Sequence, residues 1–110
     1  MENVALTLAT VQMTSVDDLD ANLDKAESYI GQAVKDHAAD IVVIPEFYNI
    51  PYIFQWRDYA HIDRAEPANG PSIRRARKLA RQHRIGLIAT IFEEEAAGLY
   101  YDTAFFIDEE

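Results

Sequence analysis

The sequence contains no cysteine. No disulfide can form within it, and no thiolate is available as a metal ligand or nucleophile. That absence is compatible with a reducing compartment. Glycine is scarce, with four residues in 110 and none of them clustered. A glycine-rich phosphate loop is therefore missing, which argues against a nucleotide-binding α/β module. Basic residues are few: 10 Lys and Arg against 19 Asp and Glu, a formal charge of -9. That balance argues against a nucleic-acid partner and against docking on anionic lipid. Long apolar runs are missing too. The longest, such as Ile41 to Pro45, fall far short of the ~18 residues of a membrane span. The amino-terminal Met-Glu-Asn carries no basic side chain, and the apolar run after it is broken by threonines, unlike a signal peptide. The expectation is a soluble, cytoplasmic protein.

What remains is globular in composition, with 49% hydrophobic and 26% charged residues. A length of 110 fits one domain of modest size. Neither an internal repeat nor a dividing linker is visible.

The segment Val4 to Met13 alternates Val4, Leu6 and Leu8 with smaller residues, which predicts a buried strand. Ser15 with Asp18 three residues later is a helix-start signal. From there Leu19, Leu23, Ala26, Ile30 and Ala33/Val34 form one apolar stripe of an amphipathic helix reaching about His37. Ile41 to Ile44 is an unbroken apolar run that suits a strand covered on both faces. It ends at Pro45-Glu46. Phe47 to Asn69 has no clean period and is rich in aromatics, so it reads as a long excursion with one short helix around Phe54 to Ala60. Gly70-Pro71-Ser72 opens a second helix, with Ile73, Ala76, Leu79 and Ala80 as its apolar stripe. Its arginines read as a solvated face. Ile85 to Phe92 predicts a strand, Glu93 to Gly98 a charged turn, and Leu99 to Asp108 a further strand. That connection is too short for a parallel crossover, so the last two strands should pair antiparallel. The order β-α-β-α-β-β gives an α/β fold with a mixed sheet. Asp108-Glu109-Glu110 follows directly on the last strand with nothing to cover the sheet beyond it, the pattern expected of part of a longer domain.

Glu46 is the leading candidate for chemistry. A carboxylate at the carboxyl end of a central strand sits where ligands collect in α/β sheets. Partial burial there would raise its pKa toward the range of a general base. The simpler alternative is a surface acid opening a loop. His37, His61 and His83 lie far apart without ligand spacing, which gives no metal site.

Ile41-Val42-Val43-Ile44-Pro45-Glu46-Phe47 resembles the glutamate motif of the carbon–nitrogen hydrolase (nitrilase) superfamily. Other features agree in order. Val4-Ala5 through Gln12-Met13 resembles the family's first strand, and Asn22 matches a recurrent asparagine in the first helix. Gly70-Pro71 matches a Gly-Pro step, and Tyr101-Asp102-Thr103 a Tyr-Asn-Thr step with Asp in place of Asn. Pro51-Tyr52 with Gln55, and Ala65-Glu66-Pro67, are similar to the N-carbamoylputrescine amidohydrolase branch. The resemblance spans essentially the whole chain.

It implies an α-β-β-α sandwich that hydrolyses a non-peptide C–N bond with a Glu-Lys-Cys triad and without metal or organic cofactor. Glu46 would be the general base, and the region after it, above all Phe47, Tyr48 and Tyr52, would line the pocket for an amide or carbamoyl amine. By the same resemblance Phe92-Glu93 falls near the site, which alone does not make Glu93 catalytic. The family's lysine and cysteine lie downstream of the Tyr-Asn-Thr strand, beyond Glu110. Residues 1–110 are thus expected to be the amino-terminal portion of one domain, carrying only the glutamate of the triad and inactive alone. Relatives usually associate into homo-oligomers. The rival reading is a non-catalytic half-domain that serves as a binding or assembly module and needs a partner over its open sheet edge.

Overall fold

Asp18 ends an extended segment and accepts the Ala21 N–H at 3.1 Å, satisfying one of the donors a helix start leaves free. Helix α1 then runs Leu19–His37. Its stripe buries Leu23, Ala26, Ile30 and Ala33, as the spacing predicts, together with Asn22. Helix α2, Pro71–His83, starts with Gly70 as its cap and proline in its first turn. It buries Ser72, Ile73, Ala76, Leu79 and Ala80. His37 and His83 each close the last turn of a helix.

A computed structural model describes residues 3–110. Strands β1 (Leu8–Thr10), β2 (Ile41–Val43), β3 (Gly86–Ala96) and β4 (Leu99–Ile107) form one sheet in the order β1-β2-β3-β4. β1, β2 and β3 are parallel, and β4 returns antiparallel along β3. Two crossovers stepping the same way along a sheet put both helices on one face. That face holds the main core, where Val42, Leu87, Ala89 and Ile91 are fully buried beneath Ile30, Ile73 and Ala80. The chain is an α/β half-sandwich with a mixed sheet, as the element order predicts.

The other face is open among the described residues, and this corrects two expectations. Val4, Leu6 and Leu8 are exposed, Leu8 at 64%, although their alternation suggested burial. β2 is fully covered on one side only: Val42 is buried while Ile41 and Val43 are half-buried. The open side also carries Phe106, 63% exposed and set against Gly86 and Ile41. The alternation was real, but it identified a face and not its cover.

Three boundaries also differ. β1 keeps only Leu8–Thr10 of the stretch from Val4 to Met13. β3 continues through the acidic Glu93-Glu94-Glu95 to Ala96, with a register irregularity near its end. Cross-strand pairing to Tyr100 and Tyr101 overrides the polar composition. The turn shrinks to Ala97 and Gly98, and Gly98 supplies the positive φ of 83°. The excursion holds two short 3₁₀ helices, Ile53–Trp56 and Tyr59–Arg64, in place of one helix. Arg57, in the left-handed region at φ 49°, separates them.

Leu87→Ala, in the middle of the covered face, should cost about 2–5 kcal/mol in urea denaturation. Leu99→Ala, half-exposed at the start of β4, should cost well under about 1 kcal/mol.

Candidate active site

Beyond Val43 the chain makes a tight turn over Glu46 to Asn49. Phe47 takes a left-handed φ of 53°, a conformation costing a non-glycine residue about 1–2 kcal/mol. Its surroundings hold it there. The Phe47 N–H donates to Thr90 O at 3.0 Å, and the Tyr48 N–H to Pro45 O at 3.1 Å. The Phe47 ring is buried against Ile50, Ile53 and Phe92. Reversing the chain there leaves Glu46 exposed at the carboxyl end of β2.

Glu46 opens onto a cleft of about 810 Å³. Its walls are mainly aromatic: Phe47, Tyr52, Phe54, Phe92, Tyr100 and Tyr101. Phe54 stands at the centre, 5.4 Å from the Phe47 ring and 5.2 Å, edge-on, from Phe92. Asp102, Asp58, Arg57 and His61 supply the polar positions on the rim. Tyr52 is 55% exposed and Phe54 45%, so rings that would normally be buried face the cleft.

The Asp102 carboxyl beside Glu46 holds the Glu46 pKa above the ordinary glutamate value, first through a hydrogen bond, with desolvation next and like-charge repulsion last. The sequence-based expectation rested on burial. The side chain is exposed, and the neighbouring acid on β4 does most of the work. Asp102 is the position where the motif departs from asparagine.

The structure brings Glu46, Phe47 and Tyr52 together on the cleft. It does not bring Tyr48 there. Tyr48 is 3% exposed within the main core, with its hydroxyl 3.5 Å from Ser72 O. The burial that removes it from the cleft also raises its phenol pKa. In a turn, adjacent side chains diverge, and proximity in sequence to Glu46 could not separate Phe47 from Tyr48. Glu93 lies off the cleft and accepts the Thr103 hydroxyl at 2.7 Å.

Beneath the turn lies a polar cluster that sequence reasoning missed. Glu66 is 7% exposed. It accepts the Ser72 N–H at 2.8 Å, the Ser72 hydroxyl at 2.6 Å and Asn49 Nδ2 at 3.0 Å. Asn49 Nδ2 also reaches Ser72 Oγ at 2.9 Å. On the other side, Asn22 Nδ2 donates to Asn49 O at 2.9 Å and to Val16 O at 2.7 Å. The amide of Asn49 turns both donors to acceptors and leaves its buried Oδ1 without a protein partner, a cost of about 1–3 kcal/mol. The available signal was Gly70. A Cβ there would lie 2.8 Å from Glu66 Oε1 and 3.0 Å from Pro67 O, so a side chain is excluded where the carboxylate caps α2.

The excursion is tied down elsewhere by Arg64, which bonds Asp17 and donates to His61 Nδ1 at 3.0 Å. Arg64 holds the Asp17 carboxyl below its ordinary range. That contribution is complete above the ordinary aspartate value and is lost as pH falls through the lowered one.

Among the described residues, no group of three or more His, Asp or Glu side chains is arranged to hold a metal. No described helix is long and apolar enough to cross a membrane.

In Asp102→Asn the carboxyl titration of Glu46, followed by ¹³C NMR, should fall toward the ordinary glutamate value. A raised pKa means that the stabilising contribution of protonated Glu46 is full below the ordinary value and is lost as pH rises through the raised one. The variant should therefore lose less stability than the parent across that interval. Gly70→Ala should cost about 1–3 kcal/mol through overpacking against Glu66.

The family described as carbon-nitrogen hydrolase matches residues 7–110. The N-carbamoylputrescine amidase of Solanum lycopersicum is 30% identical over 109 residues, covering 97% of this chain and 35% of the relative. That of Solanum tuberosum matches to the same extent. The chain thus spans about a third of the length of these curated relatives. Among solved structures, a carbon-nitrogen hydrolase from Helicobacter pylori G27 superposes with a TM-score of 0.88 at 23% identity, over 94% of this chain and 36% of that one. Saccharomyces cerevisiae Nit3, of the nitrilase superfamily, does so with a TM-score of 0.71 at 27% identity, over 87% and 36%. The extent of the family match, together with the half-sandwich that these structures share, establishes that the chain belongs to the carbon–nitrogen hydrolase family.

Proposed function

We propose that Glu46 is the general base of a hydrolase acting on a non-peptide C–N bond, with the lysine and cysteine of a Glu-Lys-Cys triad supplied by chain outside these 110 residues. The observation that carries this reading is the placement of Glu46: exposed at a strand end, on the wall of an aromatic cleft, within a family match over residues 7–110. Glu46 takes the thiol proton, and the thiolate attacks the carbonyl carbon of the substrate. The lysine stabilises the oxyanion of the tetrahedral intermediate. Glu46 gives that proton to the nitrogen as the C–N bond breaks and the amine leaves. Water then gives a proton to Glu46 and attacks the thioester carbon, and the departing thiolate takes that proton back as the acid product is released. A carboxyl pKa raised by Asp102 brings the base closer to working pH, where proton transfer is most effective.

The substrate class this reading favours is an amide or carbamoyl amine. Aromatic rings and the Asp58 and Asp102 carboxylates around the cleft suit the amine end of such a molecule. The N-carbamoylputrescine amidases similar to this chain carry that chemistry in their names.

A second reading, a non-catalytic binding or assembly module, is favoured by the open sheet face with exposed Leu8 and Phe106. A defined hetero-complex in sedimentation would support it, and a well-dispersed monomer would count against it.

The purified 110-residue chain should turn over neither carbamoyl amines nor simple amides. Turnover that disappears in Glu46→Ala would overturn the triad reading. The coding region following Glu110 should encode a lysine and then a strand bearing a cysteine, and its failure to do so in an intact gene removes the enzyme. In a product carrying all three residues, Glu46→Gln should lower kcat by at least about 10²-fold.

A further inference from the structure

We propose that Glu66 is a positioning residue for Glu46, fixing through the Asn49 side chain the turn that presents Glu46 to the cleft. The proposal rests on reading Glu46 as the base and extends it to a residue far from the cleft's mouth.

Glu66 joins three parts of the fold. Its carboxylate accepts both donors of Ser72 and so ties it to the start of α2. Its backbone extends the sheet: the Glu66 N–H donates to Phe92 O at 3.1 Å, and the Glu94 N–H to Glu66 O at 2.9 Å. It is therefore anchored at both ends before it meets the turn. Its remaining strong contact is to Asn49 Nδ2, the last residue of the Glu46 turn. Among the described residues no Lys, Arg or His forms an ion pair with it, and the hydrogen bonds to its carboxylate come from Asn49 and Ser72. Such an acceptor dictates where its donors sit, because a donor that drifts away leaves the carboxylate underbonded.

The turn needs holding. Phe47 stands in the left-handed region, and Glu46 itself is exposed. Three grips converge on the segment: Thr90 O on the Phe47 N–H, Asn22 on the Asn49 carbonyl, and Glu66 together with Ser72 Oγ on the Asn49 side chain. The Thr90 grip belongs to β3 and the Asn22 grip to α1. Glu66 supplies the third direction, from α2 and the end of β3. Three grips from three elements fix the turn in orientation as well as in place. Glu46 then faces Asp102 on β4, with Asp58, Arg57 and His61 of the excursion around the same cleft. Its carboxyl titration reports that placement, since the Asp102 contact is the largest influence on it.

The test is made on the 110-residue chain by ¹³C NMR titration of Glu46 in four variants. Asp102→Asn gives the midpoint without the neighbouring acid. Glu66→Ala and Asn49→Ala cut the same link from its two ends. Each should move the Glu46 midpoint down by at least half of the Asp102→Asn shift. Ser72→Ala removes the hydroxyl that bonds both Glu66 and Asn49 Nδ2, but leaves the direct Asn49–Glu66 bond. It should lower thermal stability and leave the Glu46 midpoint in place. A merely structural role would lower stability in all three cluster variants and move the midpoint in none. An unmoved midpoint in a folded Glu66→Ala or Asn49→Ala, an equal shift in Ser72→Ala, or failure of both link variants to fold would overturn the proposal. The titration does not depend on turnover. Its failure leaves Glu46 as a candidate base, and an inactive site leaves the positioning result standing.

Discussion

A buried carboxylate satisfied only by hydrogen bonds organises the functional end of this chain. Glu66 is enclosed where the excursion returns to the sheet, and it holds the first turn of α2 and the turn after β2 in one cluster. A polar group so enclosed needs hydrogen-bond partners from the protein. The demand passes outward: Ser72 must sit at the start of α2, Gly70 must lack a side chain, and Asn49 must present its amide inward at the expense of its own oxygen. Asn22 completes the chain of dependence by linking Asn49 to the entry of α1 at Val16. The turn that carries Glu46 is thus held by polar bonds, while the sheet and helices behind it are held by apolar burial.

The two kinds of interaction divide the molecule. Behind the sheet, a continuous apolar core of α1, α2 and the covered strand faces gives stability that is insensitive to direction. At the carboxyl end of β2 lies a second, smaller cluster of Phe47, Ile50, Ile53 and Phe92, of which Phe47, Ile53 and Phe92 form one wall of the cleft. The rings of that cluster do two jobs, closing the core below and offering an aromatic surface above. The carboxyl pair of Glu46 and Asp102 lines the same cleft, and Asp102 raises the Glu46 pKa.

Most of the architecture was legible. Helix α1 was readable from a stripe at three- and four-residue spacing, although its cap is Asp18 and Ser15 of the start signal donates to Ile50 O instead, and α2 from Gly-Pro and its own stripe. The antiparallel β3–β4 pair followed from the short connection. Glu46 was readable from its position after an apolar strand and within an ordered set of motifs. Tyr48 was not separable from Phe47, because a residue's facing in a turn depends on φ values that composition does not report. The span of β3 was underestimated, because its acidic end is held by pairing with β4 and not by its own propensity. Glu66 was visible only as one letter in a resembling segment. Its partners Asn49 and Ser72 lie 17 and 6 residues away, and nothing local marks the three as neighbours.

By itself the sequence determined the elements, their order and the position of Glu46 at a strand end, since periodicity, caps and strand ends are properties of neighbouring residues. Tertiary structure decided the rest: which strand face is covered, which aromatics reach the cleft, that Asp102 lies beside Glu46, and that Glu66 bonds Asn49 of the turn. These depend on contacts between segments distant in sequence, which folding brings within a few ångströms and which no local pattern encodes.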